Sequence, residues 1–141
     1  MGAADRLLEL AVGYAAQRKQ FGRPIGSFQA VKHLLANAKV RLEYARPLVY
    51  RAAWSVARGD ARRALHTSMA KAEAGEAAGL AARSALQVHG AIGYTWEQDL
   101  HLWMRRAWSL DLAWGSRAFH RARIGAAVLA PGAALGPSTT F

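Results

Sequence analysis

The sequence of 141 residues contains no cysteine, which excludes disulfides, thiolate metal sites and a cysteine nucleophile. No apolar run approaches the length that spans a bilayer. Asp5 places an acid early in the N-terminal stretch, unlike a signal sequence, so a soluble, cytoplasmic protein with no membrane partner is expected. Acid is scarce: nine Asp and Glu stand against nineteen Lys and Arg, giving a formal net charge of +10. Such a surplus draws anionic partners of any kind. Arg41, Arg46, Arg51, Arg58, Arg62 and Arg63 are dispersed, not gathered into an aromatic-interleaved stripe, so they read as a solvated face and no nucleic-acid partner is expected. No Glu-x-x-His occurs, and the single Glu97/His101 pair at i,i+4 spacing is too little for a di-iron or other metal site; none is expected. No serine stands in a nucleophile elbow. There is no internal repeat and no defensible strand.

Helix formers fill the space these absences leave. Hydrophobic residues make up 52% of the chain, alanine foremost, and Leu, Met, Glu, Arg and Lys supply much of the rest. Leu7, Leu8, Leu10, Ala11 and Tyr14 fall at helical spacing, so Asp5 to Gln20 reads as an amphipathic helix. It begins almost at residue 1 with no preceding cap, as a boundary inside a larger protein would produce. FGRPIG breaks it. Ser27 is the expected N-cap of a second helix from Phe28 to Ala57, bent at Pro47. Gly59 and Asp60 mark a turn. A third helix from Ala61 to Gln87, about 40 Å long, stops at Gly90. Thr95 and Gln98 have capping-box spacing and are expected to open a short helix over 95–107, with a last helix from Asp111 to Leu129. The resulting fold class is all-α: an up-and-down four-helix-type bundle over residues 1–130 with one extra short helix, and a flexible tail over 131–141.

Two interruptions carry unusual composition. Residues 18–29 read RKQFGRPIGSFQ and residues 87–94 read QVHGAIGY. Either segment could be a turn that merely reverses the chain. Their composition also suits a ligand: glycines let backbone N–H groups approach an anion, and Arg18 offers a planar fork of donors matched to phosphate. Gln29 and Gln87 carry amides that donate and accept, and Phe21 adds an apolar face. Together these describe a site for a dinucleotide phosphate without naming it.

YAAQRKQFGRPIGSFQ (14–29), QVHGAIGYTWEQDLHL (87–102) and MRRAWSLDLAWGS (104–116) resemble the C-terminal helical domain of the FAD-dependent acyl-CoA dehydrogenases, a likeness running from about Asp5 to Leu129. The resemblance implies that residue 1 falls inside the first helix of that domain, and that an N-terminal helical domain and a middle β-domain belong to the full assembly. It implies an oxidoreductase of lipid metabolism that desaturates acyl-CoA thioesters, with this domain building a homo- or hetero-oligomer. Arg18 and Phe21 inherit positions against the FAD of a neighbouring chain, and Gln29 approaches the same cofactor. Gln87, Val88, His89, Gly90 and Ala91 match the segment that cradles its adenosine and diphosphate, with Ala91 in place of a glycine. The family's base is a glutamate in a turn after the short helix; Trp114 occupies that position and cannot accept a proton. No catalytic residue is therefore assigned, and the chain alone is expected to be inactive. Asp111, three residues before, reads as an acid at the start of the last helix, favoured by the helix dipole. The chain is then expected to be either part of a dehydrogenase whose base lies upstream, as a fragment or a split-gene product, or a catalytically vacant subunit paired with a competent one. A basic interaction bundle without flavin is the third reading.

Overall fold

The structure is a computed structural model describing residues 1–133. Five α-helices account for most of it: α1 (Gly2–Gln17), α2 (Gln29–Ala57), α3 (Arg63–His89), α4 (Leu100–Leu112) and α5 (Arg117–Val128). No described helix is long and apolar enough to cross a membrane.

The central element is α3. Its alanines at 72, 77, 78, 81, 82 and 85 and its glycines at 75 and 79 are all buried, so apolar residues face every side and no single amphipathic stripe exists. Small side chains let neighbours approach closely, and α1, α2, α4 and α5 all pack against it. Larger groups close the core from outside: Leu7, Leu8 and Ala11 of α1, Leu42 and Ala45 of α2, Leu100 and Met104 of α4. Leu7, Leu42 and Leu100 are sealed from solvent, each contributing roughly 1.5–3 kcal/mol of burial.

Cross-helix pairs set the directions. Ser55 meets His66 near the α2–α3 turn, while Arg41 reaches Glu73 and Glu76 further along; as one residue number falls the other rises, so α2 and α3 are antiparallel. Lys71 bonds the end of α4 at Leu110 and Asp111, and α4 runs back along α3 to place Leu100 beside Gly93. Asp5 of α1 accepts from Lys39 and Arg46 of α2. The up-and-down arrangement is as expected.

Several local boundaries differ from expectation. α1 ends at Gln17, because Lys19–Gln20 (β1) pairs antiparallel with Arg23–Pro24 (β2), Lys19 opposite Pro24 and Gln20 opposite Arg23. This small hairpin was not anticipated. Ser27 does not cap α2: its hydroxyl donates to Pro24 O at 2.7 Å from within a turn of 3-10 helix, Ile25–Ser27. Thr95 likewise fails as a helix cap, since it follows a second 3-10 stretch, Gly90–Tyr94, and its hydroxyl donates to Ile92 O at 2.9 Å. The short helix starts at Leu100 and absorbs Asp111, so Asp111 sits in the last turn of α4 and not at a helix start; α5 begins at Arg117 behind a Ser116 cap. From residue 134 on, the expected tail lies outside the described residues.

Candidate functional site

α1 delivers Arg18 at its C-terminus. The Arg18 N–H donates to Tyr14 O at 2.8 Å, and its carbonyl accepts from Ile25 N–H at 2.8 Å, which folds the hairpin back against the helix end. Gly26 permits the close approach: a Cβ there would lie 3.0 Å from Ala15 O. At the hairpin tip Phe21 and Gly22 have φ of 53° and 78°, the two positive values a two-residue primed turn demands. Glycine takes that conformation freely, whereas phenylalanine is strained in it. The Phe21 ring is nonetheless 91% exposed and stands nearly perpendicular to that of Phe28, centroids 6.1 Å apart. Arg23 lies over the Phe28 ring at 4.2 Å. Arg18 and Gln29 are exposed, and among the described residues the Arg18 guanidinium forms no salt bridge.

The second segment terminates α3. Gly90 has φ 63° and ψ −140°, a region open essentially to glycine alone. Gly93 serves a different purpose: a Cβ there would meet His89 Cβ and Leu86 Cδ1, both at 3.0 Å, so the chain can turn tightly over the helix end. Gln87, Gly90 and Ala91 are exposed, while Val88 and His89 are buried. His89 Nδ1 donates to Ala85 O at 2.7 Å, and its ring stacks on Tyr14 with centroids 4.5 Å apart and planes 21° apart. The side chains of Val88 and His89 therefore belong to the core, and only their main chain can face a ligand. Ala91 does not take a positive φ, so its methyl strains no backbone.

The Tyr14/His89 stack is what unites the two segments. It ties the end of α1 to the end of α3, and neither 18–29 nor 87–94 contains an acid. Arg18, Lys19 and Arg23 concentrate positive charge there, and a Cβ at Gly22 or Gly90 would meet nothing within 4 Å. Exposed donors, open backbone, an exposed aromatic face and no repelling carboxylate fit a diphosphate-bearing, ring-containing ligand. Sequence reasoning missed the role of Phe21 as a hairpin tip; the signal was the pair Phe21-Gly22 between two short polar runs.

The turn between α4 and α5 is held from below. Trp114 has φ 57° and Gly115 φ 108°, and Trp114 is 82% exposed. His120 Nε2 lies 3.2 Å from Trp114 O and its Nδ1 3.1 Å from Ser68 Oγ. Nε2–H thus donates to the carbonyl, and Nδ1 accepts the Ser68 hydroxyl. Lys71 Nζ donates to Leu110 O and Asp111 O at 2.7 and 2.8 Å, closing the C-terminus of α4. Asp111 Oδ2 pairs with Arg117 Nε at 3.2 Å, while Oδ1 is buried without a hydrogen-bond partner against Gly75, where a Cβ would lie 2.0 Å away. Asp111 is a packed, ion-paired group on the side of α3. Glu97 lies ahead of α4, off the helix that carries His101; His101 Nδ1 donates to Gln98 O, and no cluster of three potential metal ligands forms among the described residues.

Known proteins share this fold. The model of the family described as "Acyl-CoA dehydrogenase, C-terminal domain" matches residues 1–129. Acyl-CoA dehydrogenase IpdE2 of Mycobacterium tuberculosis is 45% identical over 107 residues, 76% of this chain and 32% of that one. A chain of the ChsE4–ChsE5 complex from Mycobacterium tuberculosis superposes with a TM-score of 0.85 at 32% identity, over 92% of this chain and 35% of that one. The FAD complex of PigA superposes with a TM-score of 0.80 at 30% identity, over 88% and 32%. The chain thus spans about a third of the length of these relatives. With two thirds or more of its length aligned in each case and the family model covering all five helices, this chain belongs to the acyl-CoA dehydrogenase family, as its C-terminal domain.

Proposed function

We propose that this chain forms the helical, subunit-contacting part of an FAD-dependent acyl-CoA dehydrogenase. The observation that carries the reading is the Tyr14/His89 stack, at 4.5 Å, which draws together two acid-free, glycine-opened helix ends. Arg18 pairs with a phosphate of the cofactor. Phe21, at the strained hairpin tip, covers an apolar ring face, and Gln29 hydrogen-bonds beside it. Gln87 contributes its amide, and the main chain from Val88 to Ala91 lines the adenosine and diphosphate portion. When bound, FAD provides the hydride acceptor for α,β-desaturation of an acyl-CoA thioester. The chain's own part is to bind and orient; the N-terminal and β-domains that complete the substrate pocket come from the rest of the assembly, in a homo- or hetero-oligomer.

This chain supplies no base. Trp114 cannot take a proton, and Asp111 is committed to Arg117 with its other oxygen buried. That observation favours a second form of the same reading, a vacant subunit that lends its flavin contacts to a competent partner. The test is turnover: the purified chain, given acyl-CoA and an artificial electron acceptor, is expected to show none, whereas the native complex pulled down through a tag on this chain is expected to be yellow with flavin. Turnover by the chain alone, or a complex without flavin, contradicts the proposal.

A further inference from the structure

We infer that the turn between α2 and α3 is a docking site for an acidic protein surface, held by Arg58, Arg62 and Arg63 beside the Trp54 indole. Residues 51–63 contain four arginines and a single acid, Asp60. Along the chain these arginines are scattered; the turn folds them together. The Arg51 and Arg58 guanidiniums lie over the Trp54 ring, 5.2 and 5.8 Å from its centroid. Arg63 donates to Gly59 O and Asp60 O at 3.2 and 3.0 Å, and the charges of Arg51 and Arg62 both bear on Asp60 and on His66. Trp54, Arg58, Arg62 and Arg63 are exposed. On the helix faces the acids neutralise their neighbours: Glu43 holds Lys39 and Arg46, Glu73 and Glu76 hold Arg41, and Asp111 holds Arg117. The turn differs, since the Arg58 guanidinium forms no salt bridge among the described residues.

Charge decides the occupant. Guanidiniums fork onto carboxylates through paired hydrogen bonds, and arginine with tryptophan is the composition that dominates the energy of protein contacts. The indole restrains Arg51 and Arg58 before a partner arrives, which lowers the entropy lost on pairing. A second copy of this chain is excluded here, because it brings the same cations and a formal charge of +10. Asp60 argues against nucleic acid. A hydrogen bond from the Arg62 backbone N–H holds its carboxyl below the usual carboxylate range, and a strand with a phosphate on every residue lays one against it. An acidic protein surface sets carboxylates opposite the guanidiniums and a neutral group opposite Asp60. α3 has 27 residues, about 40 Å of helix, and the flavin-facing segments lie at its other end. Docking here requires no flavin, so its failure and the failure of the flavin reading are separate events.

A fluorescein-labelled oligoglutamate peptide is the probe, titrated with this chain at physiological ionic strength and followed by anisotropy. Arg58→Glu is expected to weaken binding about tenfold or more. Lys32→Glu, the same change of net charge near the far end of α2, is expected to weaken it less than about twofold. Arg58→Gln, which keeps the helix end free of a new acid, should weaken binding in the same direction as Arg58→Glu, and circular dichroism confirms the fold of each variant. A single-stranded DNA oligonucleotide of equal charge is expected to bind more weakly than oligoglutamate, and Asp60→Asn to narrow that gap. Equal losses for Arg58→Glu and Lys32→Glu would report only the diffuse charge of the chain and overturn the inference. Oligoglutamate that does not bind, or DNA that binds more tightly and loses affinity with Arg58→Glu, overturns it as well.

Discussion

The His89 imidazole lies stacked on the Tyr14 phenol ring, centroids 4.5 Å apart, with its Nδ1 tied to Ala85 O in the last turns of α3. One aromatic contact thus registers the C-terminal end of α1 against that of α3. Tyr14→Ala is expected to destabilise the chain by about 2–4 kcal/mol through lost packing and the lost ring pair. Tyr14→Phe keeps the stack and should cost under about 1 kcal/mol. Urea denaturation measures both; equal losses for the two variants would show that the stack contributes little.

Gly75 makes room for a carboxylate. A Cβ at Gly75 would lie 2.0 Å from Asp111 Oδ1, so Gly75→Ala must displace Asp111 from its pair with Arg117. The expected cost is about 1–3 kcal/mol. Asp111→Ala in the same background should recover part of it, a coupling that a double-mutant cycle reads directly. Additive losses would contradict the geometry.

At the α4–α5 turn, Ser68 and His120 are both buried and their hydrogen bond holds the imidazole toward Trp114 O. Ser68→Ala leaves Nδ1 without its donor and is expected to cost about 1–3 kcal/mol. Trp114→Gly removes a side chain that is 82% exposed and relieves a φ of 57°, so it is expected to leave stability unchanged or raise it by about 1 kcal/mol. Thermal melts of the two variants should move in opposite directions or differ by several degrees.

His66 makes stability pH-dependent. Burial pushes its pKa below the ordinary 6.5, and neighbouring Arg51 pushes the same way. The folded state therefore binds fewer protons than the unfolded one; its contribution is whole above about 6.5 and declines as pH falls below that value. The His66 Nδ1 lies 2.7 Å from the hydroxyl of fully buried Ser55. His66→Gln is expected to flatten the denaturation midpoint between pH 7 and 5, relative to the wild-type chain. An unchanged slope contradicts this.

The long helices were legible because hydrophobic spacing repeats over many residues: α2 and α3 lie within about two residues of their expected ends. The hairpin was not, because it places Phe21 at positive φ, against the propensity on which sequence reasoning relies. Thr95 and Ser27 had the chemistry of caps, yet each donates its hydroxyl to a carbonyl three residues earlier. Local pattern cannot choose between those two uses of one side chain. Asp111 was misplaced for the same reason, since no glycine or proline separates Ala107 from Leu112 and Ser109 lies inside α4. Among the residues proposed to meet the cofactor, Arg18, Phe21, Gln29, Gln87, Gly90 and Ala91 are exposed as a binding role requires, while the Val88 and His89 side chains are buried, because tertiary packing decides which residues of a helix end face in.

The central claim is that residues 18–29 and 87–91 contact FAD once this chain is assembled. Its most direct measurement is the number of FAD molecules per chain in the native complex purified through this chain, compared with Arg18→Ala at matched concentration and low salt. A lost charged hydrogen bond is worth about 1.5–3 kcal/mol, so the variant should release FAD on dilution at roughly ten- to hundredfold higher concentration than the wild type. An Arg18→Ala complex that holds FAD as tightly as the wild type would contradict the account.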